Sequence, residues 1–206
     1  MVIILQNSDI LIMLGIGFGL SMAWGIVAND VANAMGTSVG SGAITFKQAV
    51  VIAIIFEFAG AVLAGGEVTA TVRKGILDSG SFVSNPELLV YGMLASLLAA
   101  ATWLLIASSL GWPVSTTHSI VGAIVGFGAV GVGVDAVAWG KVYAIIASWV
   151  VSPIIAGTLA IVIFKSLQSN IIDTEKPLEN AKKYLPFYVF FVGFIISLVT
   201  LLKGLK

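Results

Sequence analysis

The chain has 206 residues, 59% of them hydrophobic and 10% charged, with ten Lys and Arg offsetting ten Asp and Glu. A soluble domain carries about a quarter charged residues, and a mean hydropathy of +1.09 leaves too little polar side chain to cover a water-facing surface, which excludes a soluble enzyme, a nucleic-acid binder with a basic face and a disordered or fibrous chain. There is no cysteine, so disulfides, thiolate metal sites and Cys nucleophiles are excluded too.

What remains is an all-α, polytopic membrane helical bundle. A spanning helix needs about 20 mostly apolar residues. The first apolar segment covers residues 10–27 and runs into a polar, Gly-rich stretch. The second covers 48–64 and the third 88–110. A fourth, 113–134, is less hydrophobic, and Gly122, Gly126, Gly128, Gly131 and Gly133 suit it to a bend, so a re-entrant helical hairpin is expected there. The fifth covers 139–164 with Pro153 inside it, and the sixth 186–202. Residues 1–8 contain no basic residue, which argues against a cleaved signal peptide. The expected organisation is a membrane core over 1–165 carrying the polar motifs, an exposed polar linker over 166–185, and a further membrane helix over 186–206. With the fourth segment re-entrant, Arg73, Lys74, Lys165, Lys176, Lys182 and Lys183 fall on one side of the membrane and Lys47, Lys141, Lys203 and Lys206 on the other. That bias is too small to set the orientation. Small residues spaced by four, Gly36/Gly40 and Gly122/Gly126, suit close helix approach.

Three ionisable residues fall within or beside apolar segments, where each costs a few kcal/mol unless paired or hydrated: Asp30, Glu57 and His118. On a helix Asp30, Asn33 and Thr37 share one face, and Asn29 pairs with Asn33. One carboxylate with amide and hydroxyl oxygens is a hard-oxygen cluster that suits Na⁺ or another small hard cation; helix–helix hydrogen bonding is the plainer use of Asn and Thr but does not need the Asp. Glu57 has no basic residue on its own helix and reads as a coupling-ion ligand or proton carrier, or as a neutral acid bonded to a carbonyl. In Pro113-Val-Ser-Thr-Thr-His118 the proline suits a first helical turn. Ser115, Thr116 and Thr117 then supply hydroxyls where unpaired N–H groups and the positive dipole end converge. That is an anion site if the helix begins at depth, and ordinary capping if it begins at the membrane surface.

The stretch Ala28-Asn-Asp-Val-Ala-Asn-Ala-Met-Gly-Thr-Ser-Val-Gly-Ser-Gly-Ala-Ile-Thr45 resembles the signature of the inorganic phosphate transporter (PiT) family, and Pro113-Val-Ser-Thr-Thr-His-Ser-Ile-Val-Gly-Ala-Ile-Val-Gly126 resembles that family's second motif. One departure is mild: Ile26-Val-Ala precedes Asn29 where the family often has Gly-Ala, which leaves the glycine at Gly25. The resemblance implies a secondary transporter that imports phosphate with Na⁺ or H⁺, with Asp30 and Glu57 needed for transport and Ser115–Thr117 part of the substrate region. It implies no enzyme and no cofactor beyond the coupling ion. Family members usually hold two homologous halves, each with its own signature. Both motif types occur once here, so one half of an inverted-repeat transporter is expected, the N-terminal one by motif order, partnered by a second half or another copy in an oligomer within the plasma or inner membrane.

The expected mechanism places phosphate on Ser115, Thr116 and Thr117 with Asn29 or Asn33 nearby, and the cation on Asp30, Asn33, Thr37 and Glu57, with Asp30 and Asn33 as Na⁺ ligands if sodium is the coupling ion. Of the ten acids, Asp30 and Glu57 stay among apolar residues while every Lys and Arg can sit in a connection or at a span end. An acidic interior without a resident cation requires one from solution. Three alternatives differ in what they demand. An intramembrane hydrolase using Ser115 or Thr117 with His118 lacks an orienting third group and a nucleophile-turn signature. A passive anion channel leaves Asp30 and Glu57 without a role. A sulfate or other oxyanion transporter shares the tetrahedral geometry and differs only in selectivity.

Overall fold

The computed structural model describes residues 8–83 and 85–204, so residues 1–7, which the signal-peptide expectation concerns, and Lys206 lie outside the described residues. The described chain is helical, without strands: α1 Ser8–Gly40, α2 Phe46–Gly75, α3 Pro86–Ser109, α4 Thr116–Val132, α5 Trp139–Ile172 and α6 Pro177–Val199. Five helical stretches are long and apolar enough to cross a membrane: α1, the Phe46–Leu63 part of α2, α3, α5 and α6. The exception is α4, with twelve α-helical residues and a five-residue π turn. At a rise of about 1.5 Å per residue it is about 25 Å long, short of the roughly 30 Å hydrocarbon core.

By compactness the chain divides into Met1–Ala61 with Val68–Trp139, and Val62–Glu67 with Gly140–Lys206. In the first unit α3 is the central helix, and the residues it buries are small or at the contact itself: Gly92, Ser96, Ala100, Ala101, Leu104 and Ala107. Lipid is as apolar as leucine, so membrane helices associate by close packing rather than by burial from water. Accordingly α1 crosses α3 at Gly25, where a Cβ would stand 2.8 Å from the Cβ of Leu104. The Phe127 ring of α4 lies directly on Gly92 of α3, and Ser96 donates its hydroxyl to the Ala123 carbonyl at 3.2 Å. At Gly36, Gly40, Gly122 and Gly126, the pairs marked by their spacing, an added Cβ would meet no packed neighbour within 4 Å. A short antiparallel bridge between Leu77 and Val137 links the segments following α2 and α4, with Asp78 N–H donating to Ala136 and Ala138 N–H to Ile76, both at 2.9 Å.

Three boundaries differ from the sequence reading. The polar stretch after residue 27 continues α1 instead of ending it, through a π turn at Val27–Val31. Thr45 and Gln48 form a reciprocal capping box that starts α2, and no proline interrupts it before Gly75, so Arg73 and Lys74 lie on the helix. In the second unit the polar residues of the expected 166–185 linker are mostly helical. Asn170 bonds back to the Ser166 carbonyl at 2.8 Å, Pro177 sits at the first turn of α6, and Asn180 reaches Thr174 at 2.9 Å. Only residues 173–176 remain between the helices. There α5 and α6 are joined by a Ser166–Tyr188 hydroxyl contact of 2.6 Å.

Candidate functional site

The site grows from two irregularities that face each other. The first is the π turn at Val27–Val31, which carries Asn29 and Asp30. Such single-turn bulges widen the helix and recur at functional sites. The second is the connection from α3 to α4. Helix α3 ends in a Schellman arrangement, Gly111 N–H to the Ser108 carbonyl at 3.1 Å and Trp112 N–H to the Ala107 carbonyl at 2.8 Å. This needs a left-handed residue, and Gly111 has φ +69°. Pro113 then prevents the helix from continuing, and Ser115 restarts it as the cap of α4, its Oγ accepting from His118 N–H at 3.3 Å. Gly111→Ala forces a Cβ into the left-handed region, so we expect it to lower stability by about 1–2 kcal/mol, read as a fall in the thermal midpoint of the detergent-solubilised protein.

Asn29 is buried, 4% exposed. Its Nδ2 donates to the Trp112 carbonyl at 2.8 Å and to Ser108 Oγ at 3.5 Å, and its Oδ1 accepts from Val114 N–H at 3.1 Å and from Asn33 Nδ2 at 3.3 Å. Asp30 is half-buried beside it, and its Oδ2 accepts the Thr116 hydroxyl at 3.0 Å. A cleft of 280 Å³ opens here, lined by Asn29, Asn33, Ser108, Gly111, Trp112 and Pro113 among others, with no Lys, Arg or His in its wall. Among the described residues no group of three or more His, Cys, Asp or Glu assembles. The cleft wall holds no carboxylate; a cation at Asp30, the residue after Asn29, would rest on that one carboxylate and neutral oxygens, the donor set of a weakly held monovalent ion more than of Ca²⁺.

The structure thus brings Asn29, Asp30, Asn33, Ser115 and Thr116 into one neighbourhood, with Thr117 exposed in the first turn of α4 and His118 exposed beside it. Asn29, expected near the phosphate, has all four hydrogen-bonding positions of its amide occupied by protein groups. Thr37 shares the helical face of Asp30, yet seven residues at about 1.5 Å each put it about 10 Å along the axis, too far for both to ligate one small ion. Glu57 is exposed on α2, and among the described residues no hydrogen bond joins it to Asp30, Asn33 or Thr37. Ser108, the Trp112 carbonyl and the Val114 N–H were not foreseen. Their only advance signal was that an asparagine amide buried in a membrane helix needs partners for two donors and two lone pairs.

The profile of the phosphate transporter family matches residues 26–206. A putative phosphate permease of Haemophilus influenzae is 53% identical over all 206 residues, which cover 49% of that relative. An inorganic phosphate transporter (2-1, chloroplastic) of Arabidopsis thaliana is 50% identical over 173 residues, 84% of this chain and 30% of the relative. A solved structure described as a sodium-dependent phosphate transporter superposes with a TM-score of 0.78 at 42% identity, covering 93% of this chain and 53% of that one. The chain therefore spans between about a third and about half of the length of these proteins.

Proposed function

The chain belongs to the phosphate transporter family, and from that membership together with the Asp30–Thr116 contact we propose that it supplies one half of a cation-coupled phosphate symporter. Ser115, Thr116 and Thr117, with the N–H groups opening α4, bind the oxyanion. Asp30 and Asn33 bind Na⁺, or Asp30 takes a proton, and Thr37 and Glu57 serve a second ion or its path. A single observation carries the reading. The Thr116 hydroxyl, on the anion side, donates to the Asp30 carboxylate, on the cation side, at 3.0 Å. A phosphate held at this turn by the opening N–H groups of α4 and the Ser115 and Thr117 hydroxyls, the Thr116 hydrogen being taken by Asp30, lies within about 5 Å of that carboxylate, and at an effective dielectric near 20 two like unit charges at that distance repel by about 3 kcal/mol. A cation on Asp30 removes the repulsion, so each ligand favours the other. That mutual dependence is the coupling.

The proposal extends to the assembly and the membrane. A length of α4 short of the bilayer fits a re-entrant element whose N-terminus lies at depth. Five crossings place a following homologous half upside down, the arrangement of an inverted repeat; a second half or another copy completes the pathway in the cell membrane. Equilibrium binding of radiolabelled phosphate, with and without Na⁺ at constant ionic strength and pH, tests the coupled site. We expect phosphate affinity to rise at least tenfold with Na⁺, and Na⁺ affinity to rise equally with phosphate; phosphate binding that is indifferent to both Na⁺ and pH contradicts coupling. Glu57→Gln is expected to leave phosphate affinity within threefold and to cut the cation dependence of uptake at least fivefold, measured as initial rates over a Na⁺ series.

A further inference from the structure

Resting on the symporter reading, we propose that Asn29 is the positioning residue of the site, fixing the α3–α4 turn in register with Asp30 and not touching phosphate. Its amide has two hydrogens and two lone pairs, and Trp112, Ser108, Val114 and Asn33 take all four. The two shorter loop bonds, 2.8 Å to the Trp112 carbonyl and 3.1 Å from Val114 N–H, fall on either side of Pro113. A proline there breaks the helical ladder, so these two backbone groups lie between α3 and α4 where neither helix supplies a partner, and the buried amide of Asn29 supplies both. The next residue of the same π turn, Asp30, receives the Thr116 hydroxyl at 3.0 Å. One turn of α1 therefore grips the connection at two points, through Asn29 at 112–114 and through Asp30 at 116. Without the first grip, the single Asp30–Thr116 hydrogen bond is left to set where residues 115–117 stand relative to the carboxylate.

The absence of cysteine permits a direct test. Thr117→Cys places a single thiol on the exposed first turn of α4 in this chain, and its rate of reaction with a water-soluble maleimide reports the placement of that turn. Adding Asn29→Ala is expected to change the rate at least fivefold. Asn29→Ser, which keeps a small polar group in the same space, should do the same if the alanine variant fails to insert. A rate within twofold of the Thr117→Cys parent in the inserted variants overturns the proposal. The second readout uses proteoliposomes. Asn29→Ser should raise the phosphate KM about tenfold with the maximal rate within threefold, and combining it with Thr116→Val should raise KM no more than twofold beyond the worse single variant, because both act through Thr116. KM increases that multiply mean that Asn29 binds phosphate independently, and they overturn the proposal. If the parent protein takes up no phosphate, the transport reading fails, while the labelling comparison still decides the role of Asn29.

Discussion

Asp30→Asn is expected to reduce cation-driven phosphate uptake at least a hundredfold while leaving the protein inserted and monodisperse. The substitution keeps shape and an oxygen able to accept the Thr116 hydroxyl, which lies 3.0 Å away in the parent, so it removes the charge and little else. A hundredfold corresponds to about 2.7 kcal/mol, below the roughly 4 kcal/mol that a unit charge pair 4 Å apart exchanges at an effective dielectric of 20. The single charge is therefore large enough to account for the loss. Hydroxyls and amides alone would hold a sodium ion too weakly to offset the oxyanion. Initial rates of radiolabelled uptake in proteoliposomes, normalised to inserted protein, measure it; uptake within threefold of the parent would remove Asp30 from the cation role.

Gly25→Ala and Gly36→Ala are expected to move stability in opposite directions. An alanine in an exposed helix interior is worth up to about 1 kcal/mol over glycine, and Gly36 has no atom within 4 Å of the new methyl, so that variant should be unchanged or more stable. At Gly25 the methyl would stand 2.8 Å from the Leu104 Cβ, against an ordinary carbon contact of about 3.5–4.0 Å. Leu104 is fully buried on α3, so α1 and α3 must separate by up to about 1 Å, an overpacking cost of about 1–3 kcal/mol. Because Gly25 lies one turn before Asn29 on α1, the same displacement pulls at the 2.8 Å bond to Trp112, and uptake should fall at least tenfold. Chemical-denaturant or thermal midpoints of the two variants in one detergent decide the sign. Equal shifts would mean that α1 does not cross α3 at Gly25.

The membrane character and the number of long helices were legible because they depend only on runs of apolar residues, which lipid reads directly. Their ends were not. The apolar run ends near residue 27, yet helix is the cheapest way to satisfy backbone groups at membrane depth, so α1 continues through the polar residues to Gly40. The same reasoning explains why Ser166, Gln168 and Asn170 sit in a helical continuation of α5 and not in a linker. Asp30 stood out as a carboxylate that helix packing does not need, whereas the Ser115–Thr117 run read equally well as a helix cap, the role Ser115 fills. Their contact did not, since 86 residues separate Asp30 from Thr116 and no local pattern encodes that pairing. A uniform helical period also misled in detail. It grouped Thr37 with Asp30 by angle while ignoring rise, and it hid the π turn that presents Asn29 and Asp30 together. Small-residue spacing selected Gly36/Gly40 and Gly122/Gly126, whereas the close approaches fall at Gly25, Gly92 and Gly128, which form no regular repeat.

The coupled-symport account is tested most directly by phosphate accumulation in proteoliposomes under an imposed inward Na⁺ gradient. It predicts uptake that rises above the external phosphate concentration, saturates with phosphate, and collapses when the Na⁺ and H⁺ gradients are both abolished. Uptake that proceeds undiminished after both gradients are gone would contradict it.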